Sequence, residues 1–460
     1  MTEIPVIAIF DVGKTNKKLF LFDEHYQIVF EKSAKFTETV DEDGEDCENL
    51  DSLRQSVFNS LNEVLRLPEF CIKAVNFSTY GASFVYIDDK GEALTPLYNY
   101  LKKFPEQLSQ EFYETYGGER SFTHITASPV LGSLNSGMQL YRIKKERPQL
   151  FQKIKYALHL PQYLSYLITG VPCSDITSIG CHTNLWDFSE SRYHDWVSRE
   201  GIYEKLAPIL PGNQVLPSSF VGADYSVGVG LHDSSAALIP YLVNFHEPFI
   251  LISTGTWCIS LNPFNQTPLT SEELENDCLC YMTYEGKPVK ASRLFAGYEH
   301  EQQVKRIAEH FNQNPIRYRN IAYDADIITK LQHELVPLEK PVNLKESGFV
   351  HRDLSQYSTD VEAYHQLIVD IMVQQRFSTQ LALQGTAVKR IFVDGGFSKN
   401  AIYMNLLALS FPDTEVFAAS MAQATAVGTA LAIHKSWNKK ALPNDIIELK
   451  YYGRSQAIDI

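Results

Sequence analysis

Residues 6–25 read VIAIFDVGKTNKKLFLFDEH, two apolar runs split by a short polar turn. VIAIF and LFLF have the length and side-chain type of buried strands, which makes VGKTNK the hairpin between them. Gly13 allows close backbone approach, and such a turn can aim several N–H groups at one point. Thr15 and Asn16 add side-chain donors and Lys14, Lys17 and Lys18 add positive charge, a combination suited to phosphate. Asp11 is the odd member: a carboxylate beside phosphates is repelled unless a divalent cation, most naturally Mg²⁺ with retained waters, stands between them. The stretch therefore reads as a seat for a metal-bound nucleoside triphosphate. A polar hairpin with an exposed Asp fits the same residues equally well.

Three further stretches share this character. STGTWCIS, residues 253–260, places Ser253, Thr254, Gly255 and Thr256 after a strand that starts near 248; a plain hydroxyl-rich turn is the other reading. FVDGGFSKN, residues 392–400, ends a strand in Gly395 and Gly396 and opens a helix whose first amides could approach a phosphate or ribose. Its alternative is a glycine pair for tight packing. VGVGLHDSSAALIPYL, residues 227–242, puts Asp233 where a glycine-rich loop meets an apolar helix, a position an N-cap also explains.

The rest of the chain frames these turns. A helix from Asp51 carries Leu53, Val57, Leu61 and Leu65 on one face, and a strand and a hairpin turning at Asp89–Gly91 follow. Residues 135–170 read as helical, ending at the capping Gly170, and residues 203–230 as loop. The acidic run Asp41–Glu48 reads as a solvated loop needing no function. The last third alternates helix and strand, which implies a largely parallel sheet covered by helices. The strand-to-turn pattern near residue 11 and again near 254 predicts two related α/β lobes with a cleft between them, each offering its turn to one ligand.

At 460 residues, 44% hydrophobic and 21% charged, the chain has material for two or three domains with large cores. A net charge of −14 argues against nucleic acid and anionic membrane as partners. No run reaches the ~20 apolar residues of a membrane span and the start lacks a basic, cleavable leader, so the expected address is cytoplasmic. The seven cysteines are odd in number and lack zinc-like pairing, which favours reduced thiols.

Taken together, DVGKTNKK, STYGASFVYIDDKG, LPQYLSYLITG, HDSSAA, STGTW, and FVDGGFSKN with QATAVGTAL resemble, in order and separation, the FGGY carbohydrate kinases, in particular the branch with rhamnulokinase and fuculokinase. The resemblance spans nearly the whole chain. It implies two ribonuclease-H-like domains of actin/hexokinase type with the active site in the interdomain cleft; here the domains are expected at 1–240 and 241–460, and the tail 436–460 is expected to pack back on the first domain. It also implies ATP and Mg²⁺ as cofactors, a small-molecule sugar as partner, and a homodimer as a compatible assembly. Carried over by position, Asp233 accepts the proton of the sugar hydroxyl. Gly13, Lys14, Thr15, Asn16, Lys17 and Lys18, with Thr254, Gly255 and Thr256, line the phosphates. Gln302, Gly395, Gly396 and Asn400 serve ATP; Tyr80, Gly81, His232, Asp233 and Ser234 serve the sugar; and Asp11 and Asp233 face the metal.

The resemblance is weakest around the sugar. Where relatives carry a carboxylate after the hairpin, PLYNYLKKF (96–104) has Tyr100, and a second acidic position is Ser83. The aromatics of 281–300 would either cover an apolar sugar face, such as a 6-deoxy methyl, or pack in a core. The expected activity is phosphoryl transfer to a ketose or 6-deoxyketose, with rhamnulose and fuculose ahead of xylulose and ribulose. An actin-like or chaperone-like ATPase switch, or a sugar-binding pseudokinase, are the alternatives. The HDSS loop favours the kinase, because a switch needs no proton acceptor.

Overall fold

In the computed structural model, which describes residues 3–14, 17–34, 37–331, 342–421 and 423–453, the opening stretch forms the expected hairpin. Strand Ile4–Val12 pairs antiparallel with Lys17–Asp23, from Val6↔Asp23 to Val12↔Lys17. Val6, Ile7, Ala8 and Ile9 are fully buried, which is why an unbroken apolar run is needed here instead of an alternating one. Thr15 and Asn16 lie outside the described residues.

The described residues sort into two packing units. One comprises those within Met1–Asn244, Cys280–Pro288 and Gln423–Ile446, the other those within Phe245–Leu279, Val289–Ala422 and Ile447–Ile460. A single boundary near residue 240 thus gives way to a chain that returns to the first unit twice, at 280–288 and at 423–446. Of the tail 436–460 expected on the first domain, residues 436–446 belong to the first unit, whereas strand Glu448–Tyr452 pairs with Glu415–Ser420 of the second.

Within the first unit, strands Ile28–Ala34, Lys17–Asp23 and Ile4–Val12 form an antiparallel meander. Strand Phe70–Thr79 then runs parallel to Ile4–Val12, and Ser226–Gly228 and Leu231–His232 run parallel to Phe70–Thr79. The second unit repeats the scheme. Pro288–Leu294, Cys258–Asn262 and Phe249–Thr254 make the meander, and Arg390–Gly395 and Glu415–Ser420 continue it in parallel. Both sheets are therefore mixed, and the parallel order read from the last third holds only for their central strands.

Other local readings change as well. The segment 135–170 contains strand Tyr156–His159, paired antiparallel with Phe84–Ile87, between helices Pro148–Lys153 and Leu160–Thr169. Its partner lies some seventy residues upstream, beyond the reach of local periodicity. The stretch read as loop at 203–230 supplies strand Ser226–Gly228 to the main sheet. Asp41 and Glu48, read as solvated, are 6% and 3% exposed. Among the described residues no helix is long and apolar enough to cross a membrane, and none of the cysteines forms a disulfide.

Candidate functional site

In the first unit the parallel strands bring distant residues to one edge. Asp11, near the end of its strand, lies in register with Ser78, whose hydroxyl donates to Asp11 Oδ1 at 3.0 Å. Leu231–His232 pairs with Ser78 and Thr79 on the other side. The next residue, Asp233, opens helix Asp233–Asn244, so its carboxylate stands at the positive end of the helix. Asp233 Oδ1 accepts from the Ser234 amide at 2.6 Å and the Ser234 hydroxyl at 3.3 Å. Its side chain keeps 34% exposure. Burial, opposed by the Ser78 hydrogen bond and supported by the charge of Asp233, pushes the Asp11 carboxyl up to about 6.

His232 is buried, with Nε2 3.2 Å from Asp233 Oδ1 and 3.3 Å from Cys181 Sγ. Burial lowers its pKa below the usual histidine value, so the ring is neutral near pH 7, and donation to Asp233 requires the proton on Nε2. Tyr281 stacks on it at 5.6 Å and 23°, so this aromatic of the 281–300 stretch is buried packing beside the site. A Cβ at Gly81 would lie 2.8 Å from the His232 ring, so glycine is what lets the chain pack closely on this histidine here. The strand before Asp233 is held from below: the His232 amide donates to Thr177 Oγ1 at 2.9 Å, and Asp175 Oδ1 accepts from the Thr177 amide at 2.8 Å and from its hydroxyl.

The three lysines of the first turn do not converge. Lys17 and Lys18 alternate across their strand. Lys17 Nζ reaches Glu48 at 2.9 Å, while Lys18 Nζ pairs with Glu31 at 2.7 Å. Lys14 also turns to Glu48, at 3.4 Å, and lies 5.7 and 5.6 Å from the Tyr80 and Tyr100 ring centroids. The Tyr80 hydroxyl donates to Glu48 at 2.9 Å. Burial first, then the charges of Asp233 and Glu48, raise the Tyr100 phenol above its usual pKa.

In the second unit, Gly255 and Thr256 follow strand Phe249–Thr254, and Gly395 ends the parallel strand Arg390–Gly395 with Gly396 just after it; all four residues are exposed. Gly395 has φ +86°, and a Cβ there would lie 1.9 Å from the Thr254 carbonyl oxygen. Thr254 itself is buried, donating from Oγ1 to the Asp394 carbonyl and accepting from the Phe397 amide at 3.0 Å. Asn400 caps helix Ala401–Ser410 through the Ile402 and Tyr403 amides and donates to the Tyr364 hydroxyl at 2.8 Å. Gln302 is half-buried on helix Ala296–His310. Beside the 253–256 turn, Trp257, Phe295 and Tyr298 form an exposed aromatic stack with centroids 4.4 and 4.6 Å apart.

Glu48, Asp175, Thr177 and Cys181 carry no local signal that marks them as site residues. Only the burial of an acid immediately before a helix cap would have marked Glu48, and burial is not written in local sequence. Among the described residues no three His, Cys, Asp or Glu side chains gather as a metal centre.

Two family models match this chain: "FGGY family of carbohydrate kinases, N-terminal domain" over residues 6–217, and "Carbohydrate kinase FGGY, C-terminal domain" over 246–441. A rhamnulokinase of Mannheimia succiniciproducens is 22% identical over 453 residues, covering 90% of this chain and 86% of its own. One of Oceanobacillus iheyensis is 22% identical over 385 residues, covering 78% and 77%. Among solved structures, a carbohydrate kinase from Novosphingobium aromaticivorans superposes with TM-score 0.79 at 21% identity, over 98% of this chain and 95% of that one. A xylulose kinase from Lactobacillus acidophilus does so with TM-score 0.77 at 15% identity, over 97% and 93%.

Proposed function

The chain belongs to the FGGY family of carbohydrate kinases, phosphotransferases with ATP as a substrate, and on that premise we propose that it phosphorylates a hydroxyl of a ketose or 6-deoxyketose. Rhamnulose and fuculose stand ahead of xylulose and ribulose, an order that the rhamnulokinase names of the relatives support. A cytoplasmic address is part of the proposal.

The observation that carries it is the setting of Asp233: a partly exposed carboxylate at a helix start, aligned by the Ser234 amide and a neutral His232. Phosphoryl transfer asks for alignment, charge neutralisation and a proton acceptor within reach of the attacking oxygen. In this reading Asp233 takes the hydroxyl proton as that oxygen attacks the γ-phosphorus. His232 holds one carboxylate oxygen by its Nε2–H, leaving the other to the sugar. Gly81 and Tyr80 fix the hairpin against this group. The exposed glycine turns of the second unit, Gly255 with Thr256 and Gly395 with Gly396, bind the nucleotide through backbone amides, and Gln302 adds a side chain.

The pair Asp11 and Asp233 also fits a divalent cation. Burial and mutual repulsion keep the Asp11 carboxyl near 6, negative charge a cation would relieve, and magnesium in such sites needs only one or two carboxylates besides phosphate and water. Mg²⁺ bound there would neutralise the developing charge on the phosphates.

The test is ADP release measured over a panel of free ketoses, with Asp233→Asn alongside. One ketose should stimulate turnover, and the variant should lose about 10²–10⁴-fold in kcat while still binding a non-hydrolysable ATP analogue. No sugar-stimulated release, or a variant with near-normal turnover, defeats the proposal.

A further inference from the structure

Lys14 belongs by position to the phosphate turn, yet its ammonium is drawn elsewhere. It is 3.4 Å from the buried Glu48 and lies over the rings of Tyr80 and Tyr100, within 6 Å of both centroids. Glu48 is the organiser, since its 4%-exposed side chain also takes Lys17 at 2.9 Å and the Tyr80 hydroxyl at 2.9 Å. Tyr80 adjoins Gly81, which packs on His232, and Tyr100 lies in the field of Asp233. The cluster therefore borders the acceptor side of the site. An ammonium has three N–H donors, and the long contact to Glu48 engages one at most. The Lys14 side chain is 32% exposed, so the others can reach a ligand oxygen.

We propose that Lys14, set by Glu48 between Tyr80 and Tyr100, is a specificity-determining residue that donates to a hydroxyl or carbonyl oxygen of the acceptor sugar and does not bind nucleotide phosphate. The inference rests on the kinase reading given above. It assigns a positive donor to a pocket that lacks carboxylates at Ser83 and Tyr100, and so selects sugars by their oxygen lone pairs. Lys17 is sequestered on the same carboxylate, and Lys18 pairs with Glu31 on the other side of its strand.

The test is Lys14→Met, assayed with rhamnulose and with xylulose. Removing Lys14 leaves Glu48 its contacts with Lys17 and Tyr80, so the fold is retained, and a thermal melt checks this. KM for the accepted ketose should rise about tenfold, the loss of one charge-assisted hydrogen bond. KM for ATP, and calorimetric affinity for a non-hydrolysable ATP analogue, should stay within about twofold. Lys14→Arg, which keeps charge and donors, should recover part of the ketose affinity. Weakened binding of the ATP analogue with an unchanged ketose KM overturns the inference, as does a variant in which neither changes. A wild-type protein that turns over no ketose defeats the kinase reading itself, an outcome distinct from either.

Discussion

Asp175→Asn should reverse its effect on stability between acid and mildly alkaline pH. Asp175 is fully buried; its Oδ1 accepts from the Thr177 amide and hydroxyl and, at 3.3 Å, from the Ser178 amide, while Oδ2 has no partner among the described residues. Burial outweighs those hydrogen bonds and raises the carboxyl from 3.8 to about 7. The sign follows directly. The folded chain holds this proton up to about pH 7, whereas the unfolded chain releases it near 4, so unfolding liberates a proton in between and stability falls as pH rises. About three pH units at 1.36 kcal/mol each set the full cost of the ionised form at roughly 4 kcal/mol, present above pH 7 and absent below 4. Asparagine keeps an oxygen for the three donors and does not titrate, but it places an NH₂ where Oδ2 has no partner, a constant cost of about 1–3 kcal/mol. The variant should thus be the less stable at pH 4 and the more stable at pH 8, the difference moving by about 3–4 kcal/mol between them and by about 2–3 kcal/mol between pH 5 and 8. Urea unfolding followed by tryptophan emission, with Trp196 of the same unit fully buried, measures it. A difference that is flat across pH 5–8 would refute the reasoning.

Two further outcomes follow from glycine geometry and aromatic exposure. Gly81→Ala places a methyl 2.8 Å from the His232 ring, which must swing away from Asp233; kcat should fall at least tenfold with binding of the ATP analogue preserved, and an unchanged kcat counts against His232 as the aligning group. Trp257 is 39% exposed beside the 253–256 turn while Trp196 and Trp437 are buried. Titrating the ATP analogue should therefore change the emission of the wild type and leave Trp257→Phe silent, and an equal change in both removes this turn from the nucleotide site.

Much of this was legible because it is local. The opening hairpin, the strand-to-glycine turns at 254 and 395 and the helix beginning at Asp233 are all set by residues within a few positions of each other. What stayed hidden depends on partners far along the chain. Strand Tyr156–His159 exists because Phe84–Ile87 offers it an edge. Glu48 is buried where two lysines of the opening hairpin and a tyrosine just past strand Phe70–Thr79 close on it. The chain's returns at 280–288 and 423–446 leave no compositional mark.

Side-chain chemistry misleads most where it looks most like ligand chemistry. Thr254 and Asn400 have the donors a nucleotide would want, yet the hydroxyl of one is committed to the neighbouring strand and the amide of the other to capping a helix and to Tyr364. Both commitments serve the exposed glycines beside them. Thr254 ties its strand to the turn that Gly395 must enter at φ +86°, and Asn400 fixes the first turn of the helix that follows. A phosphate needs convergent N–H groups more than it needs hydroxyls, and those groups converge only if the turn is rigid. The same division of labour operates around the proposed proton acceptor, where Thr177 and Asp175 hold the His232 backbone and the carboxylate of Asp233 stays partly exposed. Asp175 and Glu48 hold the residues on either side of that carboxylate, which is why they, and not the hydroxyl-rich turns, are the informative positions to change.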